Sequence, residues 1–166
     1  MNLAAQVRSL RDRTGAPVVE CKNAILAAQG DEEKAVELLR QRGLAQAENK
    51  VTRVASQGLV EAYIHPGGRI GSLVEVNCES DFVARTQEFK ELAHDLALQV
   101  AATAPRFLSV QDIPADDHGD PQEACLLSQL FIKDPQKTVE ERVKETIART
   151  GENIRVKRFA RFELGN

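Results

Sequence analysis

The residues able to do chemistry are few, and their spacing does not bring them together. Glu79 and Asp81 flank Ser80 where a strand pattern ends. Two acids at such a corner read either as a pair holding a cation or as side chains capping the helix that follows; capping is the expected role. His94 stands beside Asp95 in a helical stretch, but adjacent residues do not share a helix face, so both are read as solvated surface. Cys21, Cys78 and Cys125 are widely separated and odd in number, without a CxxC or a Cys/His pair at zinc spacing. They are expected to be small buried or half-buried side chains in a reducing compartment, with no metal. The sequence holds no phosphate-binding glycine loop, no nucleophile elbow and no histidines at metal spacing. Neither catalytic residues nor a cofactor are therefore expected, and function falls to surface shape.

Two segments stand out on that basis. In Glu79-Ser80-Asp81-Phe82-Val83 a large aromatic directly follows acids and a serine at a strand-to-helix corner. Phe82 either tucks under its own helix as a core residue or projects as an anchor for a partner. The last segment carries Arg155, Lys157, Arg158 and Arg161, with Phe159 and Phe162 expected on opposite faces. It reads either as an edge strand guarded by charge or as part of a face meeting a partner or a second copy of the chain.

The elements that must hold these residues follow from composition and periodicity. The chain has 166 residues with 28% charged and 42% hydrophobic positions, the balance of a globular protein. Its formal net charge of -3 and 4% aromatics give no reason to expect nucleic acid, and no base-stacking platform. The longest nearly apolar stretch, 96–104, is far below the ~20 residues that span a bilayer. Met1-Asn2-Leu3 leads straight into a helical pattern, which gives no signal peptide and a cytoplasmic expectation.

Residues 1–53 hold nine Lys/Arg against seven Asp/Glu, so a slightly basic head precedes an acidic body at 54–166. The head reads as three short helices: one ending at Thr14-Gly15, one opening at Pro17 with Val18, Val19, Cys21, Ile25 and Leu26 as its apolar positions, and one capped by Asp31 and ending at Gly43. Residues 44–56 read as a helical or extended linker. The body opens with strands at 59–65 and 69–78 joined by Pro66-Gly67-Gly68. A helix over 82–104, a loop over 105–121, a short helix over 123–132, a helix opened by the Thr138/Glu141 capping box and a strand over 153–164 follow. The expected class is α+β, a three-helix domain followed by a three-stranded antiparallel sheet packed with helices.

Three motifs, in order, resemble the elongation factor Ts family along nearly the whole chain. They are Leu10-Arg11-Asp12-Arg13-Thr14-Gly15-Ala16 with Glu20-Cys21-Lys22-Asn23-Ala24, then the stretch from Val74 through Glu79-Ser80-Asp81-Phe82-Val83 to Arg85, then Gly151-Glu152-Asn153-Ile154 with Arg161-Phe162-Glu163. The resemblance implies a ubiquitin-associated-like head docking on the nucleotide-binding domain of elongation factor Tu through Arg11, Val18, Val19 and Lys22. It also implies that Phe82, with Asp81 beside it, inserts between two helices of that GTPase and disturbs the magnesium site and phosphate loop, so that GDP leaves. Tyr63-Ile64-His65-Pro66-Gly67-Gly68-Arg69 resembles a second contact motif in which His65 touches the partner. Because both motifs lie in one module, the chain resembles the short members that pair as homodimers. Ser80 stands where the family has Thr, Val18 and Val19 where it has Met or another large apolar residue, and the stretch 116–130 is shorter than in the family. The implied role is guanine nucleotide exchange, not an enzymatic reaction. The other readings are an adaptor without exchange activity, an RNA-binding protein using the basic last strand, and an undetected hydrolase.

Overall fold

The computed structural model describes residues 2–165. Its head consists of α1 (Leu3–Thr14), α2 (Val18–Ala27) and α3 (Glu32–Glu48). The boundaries have local causes: the Asn2 side chain accepts the Ala4 N–H, Gly15 closes α1 at φ +70°, and the Asp31 carboxylate accepts the Lys34 N–H to open α3. Leu10, Cys21, Ala24, Ile25, Ala35 and Leu39 make the head's own small core. Of the apolar positions expected inside α2, only Cys21 and Ile25 are buried; Val18, Val19 and Leu26 are exposed. A short helix turns one stripe toward its neighbours, and these three lie off it.

The body begins with β1 (Gln57–Ile64) and β2 (Ile70–Cys78), an antiparallel hairpin whose turn needs positive φ at Gly67 and Gly68. The helix expected over 82–104 is two helices, α4 (Asp81–Ala84) and α5 (Gln87–Thr103). Thr86 divides them, its extended backbone and hydroxyl capping α5 by accepting the Phe89 N–H at 3.3 Å. The helix expected over 123–132 is not formed. The chain there makes α6 (Pro121–Ala124), a 3-10 turn at Leu126–Ser128 and a hairpin of β3 (Leu130–Phe131) and β4 (Asp134–Thr138). A buried polar side chain on α5 accounts for the difference: Gln99 accepts the Ile132 N–H at 2.8 Å and donates to the Leu130 carbonyl at 3.1 Å. Backbone groups satisfied by a distant side chain have no need of helical partners. The chain closes with α7 (Val139–Thr150), opened by the expected Thr138/Glu141 capping box, and β5 (Ile154–Glu163).

The sheet order is β1-β2-β5, antiparallel throughout, with helices over one face. The class is α+β, as the sequence indicates. Phe89, Leu92, Ala93, Leu96, Ala97 and Val100 of α5 are all fully buried against Val74, Val76 and Cys78 of β2 and Ile154 and Val156 of β5. Glu75 pairs with Arg158 and Val76 with Val156, so Lys157 is an extra, bulged residue. The bulge resets the alternation of β5: Phe159 turns to the core while Phe162 points out from the open face, 69% exposed.

The third helix does not end at Gly43. It runs on to Glu48 and crosses α7, and a Cβ at Gly43 would sit 3.0 Å from the Ala148 Cβ. Gly43 thus permits close helix packing, and beyond it Ala47 is fully buried in the body's core cluster. Gly43→Ala should be near neutral, because a contact of that length relaxes by tenths of an ångström while Ala favours helix by ~1 kcal/mol. Gly43→Val should cost ~2 kcal/mol through overpacking, lowering the melting temperature by about 4–8 °C. Thermal melts in which the valine variant matches wild type would show that the crossing is not tight.

Candidate partner-binding surface

The corner between β2 and α4 is capped by Ser80, not by either acid. Its hydroxyl accepts the Val83 N–H at 3.3 Å. Phe82 is not tucked beneath the helix: it is 77% exposed, and Val83 and Ala84 take the inward positions. In a four-residue helix one side meets the core, and Phe82 is on the other. The Asp81 carboxylate turns along the same helix to Arg85 at 2.8 Å. Glu79 turns the opposite way, accepting the Asn153 N–H at 2.6 Å and pairing with Arg53 at 3.6 Å. The two acids therefore do not converge on a common cation, and among the described residues no group of three His, Cys, Asp or Glu does so.

His65 sits exposed at the end of β1, where the Tyr63 hydroxyl meets its Nδ1 at 3.2 Å. The Tyr63 ring lies edge-on to His94, 6.0 Å between centroids, and His94 Nδ1 meets the Glu61 carboxylate at 3.1 Å. His94 and Asp95 are thus not simple solvated surface. Asp95 is buried and paired with Lys133.

On the head, Leu3, Val7, Arg8, Arg11, Val18 and Lys22 line a shallow groove of about 770 Å³. Val19 stands outside that lining, 68% exposed. Arg11 and Lys22 are exposed and form no ion pair among the described residues. The face offers apolar surface with an excess of positive charge, Arg8, Arg11 and Lys22 against Asp12. The basic last strand is different, because Arg158 and Lys157 converge on Glu75 at 2.7 and 3.1 Å and hold its carboxyl below the usual range. Arg161 pairs with Glu163 and donates to the Ala101 carbonyl.

The three cysteines are buried and unbridged. Burial, with the Glu152 carboxylate nearby, pushes the Cys78 thiol up to about 11. Burial and the charge of Asp112 raise Cys125. Both changes disfavour the reactive thiolate.

Sequence reasoning missed Glu152, Asn153 and Arg53 as partners of the corner. Glu152 accepts the Ser80 N–H at 3.0 Å and the Ser80 hydroxyl at 2.6 Å. No local pattern signals a contact across more than seventy residues; their only trace was the closing motif that contains Glu152 and Asn153.

A helical head joined to a three-stranded sheet holds an aromatic side chain out on a fixed corner, and the comparisons with known proteins place the chain among the translation elongation factors. A family model described as Elongation factor TS matches residues 23–120 and 118–166. Elongation factor Ts of Heliobacterium modesticaldum is 48% identical, over 99% of this chain and 91% of that protein. The proteins of that name from Thermoanaerobacter sp. and Moorella thermoacetica are 47% and 46% identical, over 98% and 99% of this chain and 94% and 96% of theirs. The chain belongs to the elongation factor Ts family. Those alignments extend over 192–195 positions against 166 residues here, and the two matched segments meet at 118–120. The relatives are therefore longer than this chain within the aligned range, and the point where the two matched segments meet falls in the region expected to be short.

Proposed function

We propose that this chain is the guanine nucleotide exchange factor of elongation factor Tu, acting by binding and without chemistry of its own. The observation that carries this reading is the exposure of Phe82 on a corner fixed at both ends. A large apolar side chain held 77% open to water on a short capped helix gains from a groove in a partner and little from its own fold. In this reading Phe82 enters between two helices of the GTPase with Asp81 beside it. The magnesium site and phosphate loop shift, and GDP leaves. The ubiquitin-associated-like head docks on the nucleotide-binding domain through Arg11, Val18, Val19 and Lys22, and His65 makes the second contact. The protein works in the cytoplasm, alongside the ribosome's supply of elongation factor.

Linkage sets the energetic scale. A factor that weakens GDP binding must itself be weakened by GDP to the same degree. A thousandfold effect requires ~4 kcal/mol of coupling. Burying one Phe contributes ~1.5–3 kcal/mol, so the wedge needs the head's contacts as well. The test is release of a fluorescent GDP from purified elongation factor Tu. Accelerated release on adding the protein supports exchange; release at the buffer rate with binding retained would leave the adaptor reading, which a chain shorter than its relatives favours.

The open sheet face supports the homodimer. Val60, Ile64, Leu73 and Phe162 are exposed there, and Gly71 lies between Ile64 and Phe162 across the three strands. In the proposed dimer a second copy covers this face and brings a second His65 and Phe82 into one assembly. Phe162→Glu is expected to shift the protein from dimer to monomer in analytical ultracentrifugation at micromolar concentration. A wild type that sediments as a monomer removes this part of the reading.

A further inference from the structure

The residues that hold the wedge lie far from it in sequence. Ser80 uses its hydroxyl twice, accepting the Val83 N–H at the start of α4 and donating its proton to Glu152 Oε1 at 2.6 Å. The other Glu152 oxygen accepts the Ser80 N–H at 3.0 Å. A hydroxyl is free to rotate until an acceptor takes its proton. By taking it, Glu152 turns the oxygen lone pairs toward Val83 and so fixes the first turn of the helix that displays Phe82. A second set of contacts runs the opposite way. The Glu79 carboxylate accepts the Asn153 N–H at 2.6 Å. The Asn153 side chain, 1% exposed, donates to the carbonyls of Val51 and Arg53 at 3.2 and 2.7 Å, so the chain arriving from the head is tied to the same point. Contacts to ionised acceptors are the stronger class of hydrogen bond, and four residues from two segments, Glu79 and Ser80 with Glu152 and Asn153, exchange them here.

We propose that Glu152 is a positioning residue for nucleotide exchange: it does not touch the partner, but through Ser80 it holds the α4 turn so that Phe82 is presented in one orientation. This rests on the exchange reading. The proposal predicts a loss in the step where Phe82 enters the partner, not in docking by the head. A wedge that must be ordered on arrival costs binding energy that a preorganised one does not.

The experiment measures GDP release from elongation factor Tu against factor concentration for wild type, Glu152→Gln, Ser80→Ala, Ser80→Thr and the double variant Ser80→Ala/Glu152→Gln, with Val83 amide hydrogen exchange on the same proteins. Glu152→Gln and Ser80→Ala are each expected to lower the saturating release rate by about tenfold, the scale of one charge-assisted hydrogen bond. The half-saturating concentration should stay within about twofold, a range that leaves the docking free energy nearly unaltered. Ser80→Thr keeps the hydroxyl and should match wild type. The double variant should be no slower than the slower single one, because both remove the same contact. Val83 amide exchange should quicken in the two impaired single variants and not in Ser80→Thr. Wild-type release rates in Glu152→Gln, losses that multiply in the double variant, or a change confined to the half-saturating concentration would each overturn the proposal. If Glu152→Gln fails to fold, the contrast between Ser80→Ala and Ser80→Thr decides the matter. If wild type itself gives no acceleration, the exchange reading fails, and unchanged Val83 protection in Glu152→Gln would separately refute the positioning of the turn.

Discussion

Phe82→Ala is expected to bring GDP release from elongation factor Tu down by about one and a half to three orders of magnitude at saturating factor, while the protein melts at its wild-type temperature. The side chain is 77% exposed and its neighbours Val83 and Ala84 fill the inward positions, so truncation opens no cavity. Surface substitutions of that kind stay within about ±0.5 kcal/mol of folding stability. In the bound state the same truncation removes a central aromatic anchor, worth ~2–4 kcal/mol where such anchors dominate an interface. At ~1.4 kcal/mol per decade this gives the stated range. Stopped-flow release of a fluorescent GDP alongside a thermal melt checks both halves. An alanine variant that releases GDP as wild type does would leave Phe82 without its proposed role.

The head should fail differently. Val18→Asp combined with Val19→Asp places one carboxylate in the groove that Arg11 and Lys22 line and a second on the exposed surface of α2 outside it. The expected result is a rise of about thirtyfold or more in the half-saturating concentration, since charges stranded in an interface cost ~2 kcal/mol or above. The saturating rate should hold, because the wedge is untouched. An unchanged half-saturating concentration would remove the docking role of these valines. Deleting the head is a poorer test: α3 carries Ala47 into the body's core, so a fragment beginning after residue 53 has lost part of its own packing as well as its docking surface.

Elements governed by local rules were legible in the sequence. The hairpin around Gly67-Gly68, the Thr138/Glu141 capping box and the α5 stripe all rest on residues within a turn or two of one another. Boundaries set by distant partners were not. Gly43 looked like a helix end because its packing against Ala148 lies over a hundred residues away. The stretch 123–132 looked helical because nothing near it reveals that Gln99 takes its backbone groups. The candidate site divides the same way. The Ser80–Phe82 motif is visible as a string of residues, but whether Phe82 faces in or out depends on what α4 packs against. Glu152 and Asn153 give no local sign that they hold the corner at all.

The crossing at Gly43 also bears on how the two proposed contacts act together. Two binding modules on a flexible tether find their second site at an effective concentration set by tether length, and part of the affinity is lost to the chain's freedom. Here the connection is α3 itself, 17 residues and so about 25 Å long, seated in both cores. It is a strut, not a tether. Docking of the head then fixes the bearing of the wedge as well as its distance, and a partner surface rotated out of register with both would be refused even where each contact alone was well matched.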